Sequence, residues 1–227
     1  MDNLKKDRIL YLDCGMGAAG DMLAAALIEL LPQADSFIDE LNALGIPGVR
    51  FSKEPSVKCG ITGTHMHVSV NGQEEESHDH HGHSHEHEHS HEHSHHEHHH
   101  HSHQHHHSGL NDIEHIVRGH MSLPENVQDH VMQVYGLIAE AESKAHGVPV
   151  TEIHFHEVGT LDAVADITAV CMLMDRLAPE EVVVSPIHVG SGQVRCAHGI
   201  LPVPAPATAY ILKGAPIYGG AIKGELC

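Results

Sequence analysis

Two histidines and two aspartates in the second half of the chain have the spacing of a polar site. In His154-Phe155-His156-Glu157 the histidines alternate about a phenylalanine. An extended backbone there presents both imidazoles on one face and turns the ring to the other. Asp162 and Asp166 follow, four apart on a helix-like run, so both carboxylates project from one side. Like charges at that spacing cost about 0.2–0.5 kcal/mol on an isolated helix, a cost that a cation or a nearby histidine removes. Only residues 158–160 separate the two pieces, which puts His156, Glu157 and Asp162 within reach of one another. Such donors suit a metal ion or a phosphate-bearing ligand, and a half-exposed edge strand is the plain structural reading of the same residues.

Cys196 and His198 alternate in the same way, and His188 stands near enough to add a third ligand. A thiol–imidazole pair also suits nucleophilic catalysis, although no hydrolase signature surrounds this one. Near the start, Gly15-Met16-Gly17-Ala18-Ala19-Gly20 is spaced as GxGxxG between a strand-like run and Asp21. Glycines there admit a ligand close to the backbone, and the amides of a helix start can receive phosphate. Asp13 and Asp21 flank the loop, so a phosphate bound there requires a divalent ion between the charges. Asp21 as a helix cap is the alternative. Asp13 lies at the carboxyl end of a first inner strand, where ligands of α/β sheets collect.

The densest donor set is different in kind. Of 29 histidines, 19 fall within residues 78–107, with no Lys or Arg among them. His85, His87, His89, His91 and His93 recur at alternate positions beside glutamates, offering overlapping sites for nickel, zinc, copper or cobalt. A tract of this composition buries no apolar surface and fixes no coordination number. It reads as a metal reservoir, or as a low-complexity spacer that binds metal incidentally.

The elements that must position these groups follow from periodicity and breakers. Residues 8–13 read as a strand, 21–31 as a helix ended by Pro32, and 34–44 as a second helix. Residues 49–51 and 56–59 are strand material and 61–70 alternate as a strand. Asn71-Gly72 is a turn that runs into the tract instead of a return strand. Helices are expected over 110–118, 125–145 and 161–177, with strands at 152–155, 181–185 and 187–190 and a short helix at 207–213. Residues 217–226 look like a hairpin or a linker. The fold class is α/β, with α+β as its variant: a mixed β-sheet with packed helices, interrupted by a disordered histidine-rich insertion. Residues 1–72 and 109–227 form one α/β domain on this reading, and residues 73–108 are the metal-binding insertion.

Of 227 residues, about 190 are then left to fold, and with 3% aromatics and no Trp their core must be aliphatic. The net charge is −19, and −11 without residues 74–107, which argues against nucleic acid or an anionic membrane as partner. Five scattered cysteines favour a reducing compartment, and no apolar run reaches the length of a membrane span, so the cytoplasm is expected.

Three segments carry a family resemblance: YLDCGMGAAGDM at 11–22, HFHEVGTLDAVADI at 154–167 and CAHGILPVPAPAT at 196–208. They resemble the proteins that insert nickel into the nickel-pincer cofactor of lactate racemase, and a histidine-rich insertion before the second segment is similar to that of family members. The resemblance covers essentially the whole chain. It implies a cyclometallase of the lyase class that inserts Ni2+ into pyridinium-3,5-bisthiocarboxylic acid mononucleotide, using CTP with Mn2+ or Mg2+. Members continue past the point where this match stops, at Gly224-Glu225-Leu226, with the CTP site in the later half. The expected partner is therefore a carboxy-terminal component, and a homo-oligomer is open. The reading of the residues adds the roles: His154, His156, Asp166, His188, His198 and the tract histidines are the expected metal ligands, and Glu157, Asp162 and Cys196 the expected catalytic groups. Asp13, Gly15, Gly17, Gly20 and Asp21 bind cofactor phosphate and a divalent ion. A non-catalytic nickel-storage or metallochaperone module competes with this expectation, and a Mg2+-dependent nucleotide hydrolase built on Asp13 and the glycine loop is a third.

Overall fold

The computed structural model describes residues 8–74, 109–155, 157–196 and 198–227, so the tract histidines and His156 lie outside the described residues. The first half runs β1 (Ile9–Leu12), α1 (Gly20–Ile28), α2 (Ala34–Asn42), β2 (Val49–Lys58), β3 (Ile61–Val70) and β4 (Gln73–Glu74). After the tract come α3 (Leu110–Gly119), α4 (Glu125–His146) and α5 (Leu161–Leu177). They are followed by β5 (Glu181–Val184), β6 (Ile187–His188), β7 (Gly190–Ser191), β8 (Gln193–Cys196) and β9 (Gly199–Pro202). The chain closes with α6 (Pro206–Ile211), β10 (Ile217–Tyr218) and β11 (Gly224–Glu225).

This is a mixed α/β fold, but its strands make several small sheets in place of one. β1 pairs in parallel with β5 and β6 with β10, while β7–β11, β8–β9 and β2-β3-β4 are antiparallel. Three expectations change. β2 is one continuous strand through Pro55, which its edge position permits because a proline there withholds no donor from a neighbouring strand. The Asn71-Gly72 turn does return, since Gln73 and Glu74 pair with Val70 and Ser69. Residues 217–226 are neither hairpin nor linker: their two short strands pair with different partners, β6 and β7.

The core is aliphatic around a few aromatic anchors. Phe37, Phe51, Phe155 and Tyr135 are each no more than 2% exposed, and they join Leu27, Ile28, Leu41, Met66, Val117, Val131 and Leu173 in one cluster. Residues from both sides of the tract contribute to it. α5 runs through this core against α1, α4 and β3. Thr160 starts it by accepting a hydrogen bond from the Ala163 amide at 3.4 Å, and Ala178 ends it in the left-handed region. Its buried set, Val164, Ala165, Thr168, Ala169, Cys171, Met172 and Leu173, covers more than one stripe, so the helix is packed on several sides.

Pairing of β1 with β5 sets the ends of both strands side by side. The Ser185 amide donates to the Leu12 carbonyl at 2.9 Å, and the Cys14 amide donates to Ser185 Oγ at 2.9 Å. Asp13 therefore emerges where the two strands finish, at the mouth of the glycine loop.

Candidate active site

The glycine loop is folded onto the chain's own atoms. The Gly15 amide donates to Asp13 Oδ1 at 3.0 Å, the Gly17 amide to the Cys14 carbonyl at 3.1 Å, and the Ala18 amide to the Leu226 carbonyl at 2.8 Å. Gly17 has φ +100°, and a Cβ there would collide with the Leu226 carbonyl oxygen. Its glycine requirement thus has two sources, the left-handed backbone and the returning segment at Leu226. Asp21 is not the cap of α1: Ala19 holds that position, and Asp21 sits in the first turn.

An internal carboxylate occupies the place where the spacing anticipated phosphate. Asp166 lies directly against Gly20, whose Cβ would fall 3.0 Å from the Asp166 side chain, and it accepts a hydrogen bond from the Asp21 amide. Burial, then the charges of Asp162 and Asp21, push its carboxyl up to about 7, against the smaller downward pull of that amide. Asp21, Asp162 and Asp166 thereby meet where α1 and α5 begin. Two of the three are legible as a pair from their spacing, whereas Asp21 joins only through packing of α1 on α5.

Behind the acids, Tyr135 on α4 donates from its hydroxyl to the Val158 carbonyl at 3.1 Å, and its ring lies 5.7 Å from that of Phe155. Burial and the Asp166 charge raise the phenol. Residues 152–155 are not the anticipated strand: Val150–Glu152 and Glu157–Gly159 are 3-10 turns, with Pro149 fixing entry to the first. Between the turns Ile153 and Phe155 are buried and His154 is exposed. The alternation of side chains therefore survives without a ladder. Tyr135→Phe should lower stability by about 1 kcal/mol, because the partly buried Val158 carbonyl loses its donor while the ring packing stays. Chemical denaturation of the variant and the parent checks it.

His188 belongs to a second group. It is 6% exposed, accepts the Gly190 amide at Nδ1 (3.1 Å), and stands edge-on to Tyr218 at 4.8 Å. An imidazole accepting at Nδ1 carries its proton on Nε2, so with this bond in place His188 has a donor to offer and no lone pair. Cys14 is buried nearby, its carbonyl accepting the His188 amide, and Cys227 Sγ lies 3.8 Å from the His188 carbonyl. Burial and then Asp13 raise the Cys14 thiol; burial, then Glu225 and Cys14, raise that of Cys227.

Cys196 and His198 do meet, with Sγ 4.0 Å from Nδ1 across the β8–β9 turn. His188 is not their third member. The His198 ring instead lies 4.7 Å from His146, whose Nε2 is 3.3 Å from Glu142 at the end of α4. Glu142 and His146 were detectable as an i, i+4 pair, but nothing in their spacing points to β8 and β9.

The arrangement can now be set beside known proteins. Residues 10–227 match the family described as nickel insertion protein. The chain belongs to that family. Its relatives include the pyridinium-3,5-bisthiocarboxylic acid mononucleotide nickel insertion protein of Clostridium acetobutylicum, 43% identical over 221 residues, which are 96% of this chain and 52% of the relative. The protein of the same description from Desulfitobacterium hafniense is 37% identical over 95% of this chain and 46% of its own length. A putative nickel insertion protein of Geotalea daltonii is 36% identical over 96% and 48%. The chain spans about half the length of the curated relatives it matches. No solved structure gives a significant match. In this nickel insertion protein family member, the segments 11–22 and 154–167 are joined through Asp21 and Asp166. The segment 196–208 reaches them by way of Glu225, which accepts the Ala205 amide at 2.9 Å one residue before Leu226 covers the loop.

Proposed function

We propose that the chain is the amino-terminal component of a nickel insertase, acting in the cytoplasm. Its substrates are Ni2+ and pyridinium-3,5-bisthiocarboxylic acid mononucleotide, and its product is the nickel-pincer cofactor of lactate racemase. The observation that carries this reading, beside family membership, is the acid group at the α1–α5 junction. Replacing a ring C–H bond by a C–Ni bond leaves the C–H electron pair with Ni2+ and sends the proton elsewhere, with no change in oxidation state. The interacting Asp162 and Asp166 are the acceptor, since a carboxyl pushed up to about 7 exchanges a proton near neutral pH. His154 and His156 hold the incoming nickel, with Glu157 as third ligand or base. Cys196 and His198 face the sulfur-bearing substrate.

The loop amides already engaged within the chain favour leaving CTP, with Mn2+ or Mg2+, to a carboxy-terminal component. On the outer face of β1–β5, Ile9 and Tyr11 are each 61% exposed beside Val183, an apolar seat suited to that component.

Reconstitution tests the reading: the chain, the carboxy-terminal half of a relative, the mononucleotide, nickel and CTP, assayed for the pincer cofactor. The chain alone should form little, and the pair should form it readily. Asp162→Ala should lower insertion at least tenfold, about 1.4 kcal/mol of transition-state stabilisation, and should do so at saturating nickel in a chain lacking residues 73–108. Normal insertion by Asp162→Ala removes the junction from the mechanism. The 19 tract histidines favour a second reading, nickel storage, which predicts binding of several ions and no insertion with any partner.

A further inference from the structure

We infer that the β2–β3 hairpin carries a fixed site for a late first-row divalent metal ion, formed by Glu54, His65 and His67. Its strength is that the ladder, and not a loop, assembles it. His65 and His67 are two apart on β3 and so share a face, and Glu54 stands directly across from His65 in the register. The alternate residues Met66 and Val68 are buried, as is Phe51 opposite Val68, which fixes the hairpin's inner face to the core and turns the three ligands outward. One ligand atom from each of the three lies within 4.8 Å of the others. His67 Nε2 is 3.0 Å from Glu54 Oε1, and the two imidazole rings are 4.0 Å apart at 57°.

Donors bound to one ion at about 2.0–2.2 Å must lie roughly 3–3.5 Å from each other, so this group needs side-chain rotation and no movement of the strands. Two imidazole nitrogens and one carboxylate oxygen select nickel, zinc, cobalt or copper over magnesium or calcium. Glu54 is 62% exposed, which leaves the remaining coordination positions open to water or an arriving ligand. Among the described residues, other histidine pairs offer less. His115 and His120 bring Nε2 atoms to 3.2 Å on α3 and its end, but no carboxylate joins them within the same radius.

The hairpin's place in the chain adds to the argument. β4 runs antiparallel to β3, so at Glu74, opposite Ser69, the backbone is heading along β3 toward His67. His78, the first histidine of the tract, comes four residues later, at most about 14 Å of chain. The site is a fixed stop within reach of ions that the tract collects. It stands or falls independently of the insertion chemistry, because its test involves metal alone.

The test uses the 227-residue chain with the 19 histidines of 78–107 replaced by asparagine, titrated with nickel chloride by calorimetry. One nickel per chain should bind more tightly than any remaining background. His65→Asn or His67→Asn in that chain should weaken this equivalent at least tenfold, and Glu54→Gln severalfold, while His115→Asn leaves it unchanged. Nickel should raise the melting temperature of the parent and not of the His65 and His67 variants, whose metal-free melting should match the parent. A tightest site indifferent to both His65→Asn and His67→Asn overturns the assignment, as does the absence of any stoichiometric nickel once the tract is replaced.

Discussion

Asp166→Asn should stabilise the metal-free chain progressively relative to the parent as pH rises from 5 to 8, by roughly 2–3 kcal/mol across that span. The folded carboxyl is pushed up to about 7, from an ordinary 3.8. Between those values the unfolded chain has released the proton and the folded chain retains it. The folded state then binds more protons, so parent stability is fully present below 3.8 and is lost as pH climbs through 7. Two of the pH units between 5 and 7 lie in that window, at about 1.4 kcal/mol each. Asparagine has no charge to bury and keeps an oxygen for the Asp21 amide, so its own contribution is flat. For a chain of this size the effect is roughly 5–10 °C in melting temperature. Melting curves in chelator at both pH values decide the matter. A difference that stays constant with pH would mean that burial and the neighbouring acids do not hold this proton.

Phe155→Ala should cost about 3–5 kcal/mol, a large part of the stability of an ordinary domain. The ring is 1% exposed and packs on Tyr135, so truncation opens a cavity beneath the acid junction. Two 3-10 turns, Val150–Glu152 and Glu157–Gly159, flank the stretch that carries it, and Phe155 anchors that stretch in the core between them. Phe155→Leu, which refills most of the volume, should cost less than half as much. Urea denaturation of the two variants checks this. Equal losses would indicate that ring geometry, and not volume, holds the segment.

Helix α5 was legible to the residue, because Gly159-Thr160 leads into a long apolar period; the left-handed Ala178 that closes it carries no such signal. The Asp162–Asp166 pair was legible from its four-residue spacing for the same local reason. Asp21 was not, since it meets Asp166 only after α1 packs on α5, and no local pattern encodes that encounter. The glycine loop matched a phosphate-binding spacing, yet beside its left-handed backbone the demand for glycine at position 17 comes from a carbonyl more than two hundred residues away. Composition made the tract so prominent that His65 and His67 passed as ordinary strand residues. Their third ligand, Glu54, is supplied by register across a hairpin whose first strand seemed to break at Pro55.

The parallel pairing of β1 with β5 bears on how the chain is made. Ile9 meets Glu181, its partner 172 positions downstream. A ribosome adding about 5–20 residues per second needs roughly 10–35 s to make that stretch. Through that interval the sequence ILYL lacks the strand it pairs with, and the histidine tract is made before that mate exists. β1 is thus made well before the only strand it pairs with among the described residues. Chaperone occupancy of nascent chains that carry β1 without β5, and the yield of folded chain when synthesis is slowed between the tract and β5, are where that ordering would be felt.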